Sequence, residues 1–152
     1  MKSNILDFRY DKQLRNEWAK WMDRYRWSWF ITITYKDPGV YKKPRTVEET
    51  LKGGRWLHKT AGAARSALFV EPFHMLAGYH LHGLMYFKDG IVPPQPKMQA
   101  LEERTTNKFG PSRILPAWQG RASSYVTKYT GFSDMDSTAF DPLGDWENPI
   151  SR

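Results

Sequence analysis

Residues 66–73 read SALFVEPF and residues 79–87 read YHLHGLMYF. Both runs are apolar, aromatic or β-branched, and each has the length of a strand. A short turn at Ala77-Gly78 separates them, so they pair as an antiparallel hairpin. Working outward, Trp27 to Tyr35 (WSWFITITY) is a further strand, ended by Asp37-Pro38-Gly39. Before it, Leu14, Trp18, Trp21 and Tyr25 recur at helical spacing and predict an amphipathic helix over 11–26. Trp18, Trp27 and Trp29 are expected in the core. Thr46 with Glu49 three residues on has the form of a capping box, opening a helix through Trp56 and His58, although Gly53-Gly54 disfavours one. After the turn at residues 91–96, residues 96–108 form a helix and residues 112–115 a short strand. Residues 120–129 form another helix, stopped by Gly131. A hairpin with flanking helices implies a two-layer α+β fold on an antiparallel sheet.

The chain has 152 residues, room for one ordinary domain. It contains no cysteine, which excludes disulfide scaffolds, thiolate zinc sites and thiol nucleophiles and fits an intracellular protein. No apolar run approaches 18 residues and the first residues lack a signal-like apolar region, so neither a membrane span nor secretion is expected. The net charge is +7, unevenly spread. Residues 134–152 hold five acids and one base, a net −4, while residues 1–133 hold 22 bases and 11 acids, a net +11. The chain therefore divides into a basic folded body, 1–133, and an acidic tail, 134–152, whose Asp, Pro, Gly and Ser content predicts irregular structure. The tail is a solvated end or, in a sharper reading, a cover for the basic body.

Three groups of residues carry chemistry. His80 and His82 are two apart in a strand and project from one face, close enough to hold one metal ion. Glu71 lies among Phe69, Val70, Pro72 and Phe73 on the paired strand, where an ionised carboxylate is costly unless paired or metal-bound. Two histidines and a carboxylate suit Mn2+, Mg2+ or Zn2+ with positions left for substrate oxygens. The competing reading is an edge-strand glutamate in water, paired with Lys or Arg, and His74 in the turn is a competing ligand. Tyr125, Lys128 and Tyr129 share one face of the last helix. Alone they read as an aromatic stripe with Lys128 reaching solvent. A phenol is a poor nucleophile at its free pKa of about 10 and needs a nearby cation. Lys42, Lys43, Arg45, Lys52, Arg55 and Lys59, with Tyr41 and Trp56 between them, form a basic stretch suited either to a nucleic-acid backbone with base stacking or to a solvated face.

Taken in order, residues 30–35 (FITITY), 79–84 (YHLHGL) and 125–128 (YVTK) resemble the three motifs of the HUH endonuclease superfamily, and specifically its rolling-circle replication initiators, the Rep proteins. The resemblance spans about residues 27–131. It implies a five-stranded, mostly antiparallel sheet related to the RNA-recognition-motif fold. It implies nicking and rejoining of single-stranded or hairpin origin DNA with one divalent ion, Mn2+ or Mg2+, on Glu71, His80 and His82. Tyr125 would be the nucleophile, keeping the 5′ end as a phosphotyrosine, with Lys128 beside it. The spelling through Tyr129 also resembles phage initiators that alternate two tyrosines. No P-loop of the form Gly-x4-Gly-Lys-Ser/Thr is present. The expectation is therefore an initiator or endonuclease domain that borrows a host helicase and polymerase in the host cytoplasm. A single-tyrosine HUH transposase and a non-catalytic single-stranded nucleic-acid-binding module are the alternatives.

Overall fold

A computed structural model describes residue 17 and residues 19–36, 45–72, 79–88, 94–117 and 140–147. Among the described residues there are five strands: β1 (Trp29–Ile33), β2 (Arg65–Pro72), β3 (Tyr79–Tyr86), β4 (Ser112–Pro116) and β5 (Phe140–Gly144). Helix α1 (Val47–Ala61) joins β1 to β2, and α2 (Gln95–Phe109) joins β3 to β4. The strands lie in the order β4-β1-β3-β2-β5, and every neighbouring pair is antiparallel. This is the expected α+β architecture. Of the expected N-terminal helix, residues 17 and 19–22 are helical among those described, and the chain then tightens into bonds from Arg24 and Tyr25 back to Trp21 and Met22. The expected helix at 120–129 lies outside the described residues, as does Trp18.

Strand alternation sends two side-chain sets to opposite faces. Trp29, Ile31 and Ile33 of β1, Leu68 and Val70 of β2, and Leu81 and Met85 of β3 form the main core with Leu51, Leu57 and Ala61 of α1 and Met98 and Leu101 of α2. Helix α1 begins at the expected box: Thr46 Oγ1 accepts from Glu49 N–H at 3.1 Å, and the Glu49 carboxylate accepts from Thr46 N–H at 3.4 Å. Gly53 and Gly54 do not break it; they let it lie close on the sheet. A Cβ at Gly53 would stand 2.2 Å from Tyr35 Oη, and one at Gly54 2.7 Å from both Leu68 and Leu81. Tyr35 cannot retreat easily, since its hydroxyl donates to Thr50 O and accepts from Gly53 N–H at 3.1 Å. Burial pushes that phenol up to about 12, against the pull of Gly53 N–H and Arg45.

Both sheet edges are managed. On β4, Ser112 N–H donates to Thr106 Oγ1 at 3.2 Å, Ile114 N–H donates to Glu102 at 2.8 Å, and Pro116 has no N–H. Helix α2 thus covers the outward donors of that edge. On the other edge, β5 carries Pro142, a residue that sheets tolerate at their margins. This strand falls inside the segment expected to be irregular. Its pairing with Arg65–Phe69 is a backbone interaction that needs no apolar pattern, and Phe140 and Leu143 anchor it to the two faces of the sheet.

On the face away from the helices, one end of the sheet is covered by a second cluster. Met22, Ala67, Phe69 and Leu84 are buried there with Trp21, Trp27, Phe30, Phe140 and Trp146 against them. Trp29 is in the main core and Trp27 is half-buried in this cluster. Arg65 sits in the same region, 5% exposed, with its guanidinium 4.7 Å from the Tyr25 ring, 5.1 Å from Trp27 and 4.6 Å from Tyr86. It donates to Arg26 O at 2.9 Å and Asp145 O at 3.4 Å. Burial lowers its pKa, while ring faces, carbonyls and the charge of Asp145 stabilise the cation. The opposite end of this face, toward Ile33 and Tyr79, is where the candidate site lies.

Replacing glycine by alanine inside a helix ordinarily stabilises it by about 0.5–1 kcal/mol. At Gly53 the sign should reverse, because overpacking of this kind costs about 1–3 kcal/mol. Urea unfolding of Gly53→Ala should show a net loss of about 1–2 kcal/mol; a gain would mean that α1 does not need its close seat on Tyr35.

Candidate metal centre

The β2–β3 register places Glu71 directly opposite His80, and Phe69 opposite His82. Glu71, His80 and His82 therefore share the face away from the helices, with the two histidines adjacent along β3 and the carboxylate across from them. Glu71 Oε2 lies 2.7 Å from His80 Nε2 and also hydrogen-bonds His82 Nε2. The ligating atoms of the three residues all lie within 4.8 Å of one another. Glu71 and His82 side chains are 7% and 6% exposed, and His80 is 21% exposed, so the site opens to solvent on the His80 side. Among the described residues, the ion-pair partners of Glu71 are these two histidines, not the Lys or Arg of the competing reading.

The electrostatics follow from that burial. Desolvation pushes the Glu71 carboxyl upward, but the His82 hydrogen bond and the charges of His82 and His80 outweigh it and pull the pKa down to about 2 from 4.5. A carboxylate shared by two Nε2 atoms is held either by N–H donors of the imidazoles or by a metal ion among the three groups. Two imidazole nitrogens and one carboxylate oxygen are a donor set for first-row divalent ions, leaving further positions to water or substrate oxygen.

Strand β1 completes the site. Its Thr32 is in register with His82, and Thr32 Oγ1 lies 3.2 Å from His82 Nδ1. A hydroxyl can donate or accept, so it serves either tautomer. With Nε2 on a metal, Nδ1–H would donate to Thr32, the outer-shell contact that orients a histidine ligand. Phe30, two residues earlier, stacks on the His82 ring with centroids 5.9 Å apart and planes 7° apart. The His80 and His82 rings meet edge-on at 4.8 Å. The sequence alone places Thr32 and Phe30 on a strand and does not mark them as site residues. The available signal was alternation: with His82 on the outer face, the even-numbered residues of FITITY had to share it.

The other expected site residues fall in two groups. Tyr125, Lys128, Tyr129, His74, Lys42 and Lys43 lie outside the described residues. Lys52, Arg55, Trp56 and Lys59 lie on α1, which covers the opposite face of the sheet, so the structure does not bring them to Glu71, His80 and His82. Lys52 and Lys59 are exposed. Arg55 is committed to Glu48 and to Asp141 of β5, the latter at 2.7 Å, and these contacts raise its pKa. Trp56 packs edge-on against Phe109 of α2 with Arg104 and Lys108 over its ring. Arg45 lies before α1, donating to Lys36 O at 2.7 Å and stacking over Tyr35. Among the described residues no helix is long and apolar enough to cross a membrane. Comparison with protein-family models, curated proteins and solved structures returns no match to this chain.

The depressed pKa of Glu71 has a definite sign in stability. The ionised carboxylate's contribution is full above pH about 4.5 and is lost as the pH falls through about 2. In metal-free buffer, the difference in urea midpoint between the wild type and Glu71→Gln should therefore shrink across that interval. A difference that stays constant from pH 7 to pH 2 would show that the carboxylate is not held by the histidines.

Proposed function

We propose that the chain is a metal-dependent endonuclease and strand-joining enzyme acting on single-stranded DNA, as the initiating nuclease of rolling-circle replication. The observation that carries this reading is the convergence of Glu71, His80 and His82 on one face of a five-stranded antiparallel sheet. The motif order noted in the sequence supports it. A divalent ion on these residues, Mn2+ or Mg2+, would polarise a phosphodiester and stabilise charge developing on its oxygens. Thr32 holds the His82 ring in the orientation this requires, and Phe30 fixes its plane.

The covalent step belongs to Tyr125. Its oxygen forms a bond to phosphorus as the bond from phosphorus to the 3′ oxygen breaks. The phenol loses its proton and the departing 3′ oxygen takes one up. The products are a 5′-phosphotyrosine and a free 3′-OH able to prime synthesis, and the reverse attack rejoins the strand. Lys128, three residues after Tyr125 in the sequence, would supply positive charge to the phenolate, and Tyr129 is positioned in sequence to serve as a second nucleophile. Unwinding and synthesis would fall to a host helicase and polymerase, in the host cytoplasm.

The test is direct. Labelled single-stranded DNA carrying hairpin and library-selected sites is incubated with the protein and Mn2+, and products are separated under denaturing conditions. A covalent adduct should form, and it should vanish in Tyr125→Phe and with chelator. Absence of any adduct, with DNA binding intact, would instead mean a non-catalytic binding module. If Tyr129→Phe nicks and rejoins once but fails in repeated rounds, both tyrosines are nucleophiles.

A further inference from the structure

The sheet pairing brings an exposed cation to the metal-site face. Arg113 of β4 is in register with Thr32 of β1, and Thr32 is in register with His82 of β3. Directly paired residues in a ladder share a face, so Arg113, Thr32 and His82 form one cross-strand row on the face of Glu71 and His80. Arg113 stands two strand spacings from the histidine strand, about 10 Å. It is exposed and has no ion pair among the described residues. Its neighbour Glu102 is turned to the Ile114 N–H. In the next row, Leu115 pairs with Phe30. Leu115 is 42% exposed, the one exposed large apolar side chain among the described residues. Because α2 covers the outward donors of β4, this edge cannot take an added strand by backbone pairing. It offers the face of the sheet instead.

We propose that Arg113 and Leu115 form the approach to the metal centre: Arg113 takes a backbone phosphate next to the one on the metal, and Leu115 seats the adjoining base or sugar. The occupant is a DNA single strand, which makes this inference rest on the function proposed above. A guanidinium and an apolar side chain two residues apart on one face suit a polymer that alternates phosphate and ring. The cations of α1 cannot do this work from the opposite face. Arg113 is thus a positioning residue for the substrate and not part of the metal site.

The experiment uses the full chain, Mn2+ and a fluorescein-labelled mixed-sequence DNA single strand, with binding measured by anisotropy at several salt concentrations. Arg113→Gln should weaken binding about 5- to 10-fold. It should also flatten the slope of log affinity against log salt by about 0.7, the loss of one phosphate contact on a single strand. Arg113→Lys should restore the slope. Leu115→Ser should weaken binding with the slope unchanged, because the lost contact is uncharged. Mn2+ affinity without DNA should be the same in all three variants and the wild type. If the wild type binds the strand and Arg113→Gln binds it with equal affinity and slope, the approach is wrong while the nuclease reading stands. If the wild type binds no single strand at any salt, the reading beneath it fails as well. A fall in Mn2+ affinity in Arg113→Gln would also overturn the assignment, by placing the residue in the metal site.

Discussion

A carboxylate that is 7% exposed, set in an apolar strand and shared by two imidazoles, is the constraint on which this site turns. An ionised carboxylate in such surroundings persists only when it is hydrogen-bonded or paired. That requirement binds the register of three strands. Slipping β3 by one residue against β2 would send His80 and His82 into the helix-side core and bring Leu81 out beside Glu71. The apolar faces of Leu68, Val70, Leu81 and Met85 and the polar group on the other side are therefore one specification, since both depend on the same alternation.

The charge distribution takes a different meaning once the fold is in hand. A net charge of +7 suggests a basic surface, yet part of the positive charge is spent inside the molecule. Arg65 is buried among aromatic rings and carbonyls, joining β2 to residues 25–27 and 145–146. Arg55 ties α1 to Glu48 and, through Asp141, to the edge strand β5. The acidic C-terminal segment thus supplies strand β5 and the Asp141 partner of Arg55 to the fold. The helix layer and the candidate site occupy opposite faces of the sheet.

Much of this was legible locally. The hairpin of β2 and β3 could be read from two apolar runs and a short turn, and the start of α1 from Thr46 and Glu49, because each signal lies within a few residues of what it specifies. The grouping of Glu71, His80 and His82 was legible for the same reason. Strand β5 was not, since an edge strand held by backbone pairing has no need of alternation and its Asp-Pro-Leu-Gly reads as a turn. Gly53 and Gly54 looked like helix breakers because their reason, close contact with Tyr35, Leu68 and Leu81, exists only in the tertiary structure. Thr32 and His82 meet across 50 residues, and Arg55 finds Asp141 across 86; contacts at that separation leave no trace in a local pattern.

The central claim is that Glu71, His80 and His82 together hold one divalent ion. Pulsed electron paramagnetic resonance of Mn2+ titrated into the protein addresses it most directly, because coupling to directly bound imidazole nitrogen is visible in the spectrum. One ion per chain should bind with two histidine nitrogens coupled to it, with one coupling lost in His80→Ala and the binding itself lost in Glu71→Gln. A spectrum without nitrogen coupling, or one indifferent to these substitutions, would contradict the assignment.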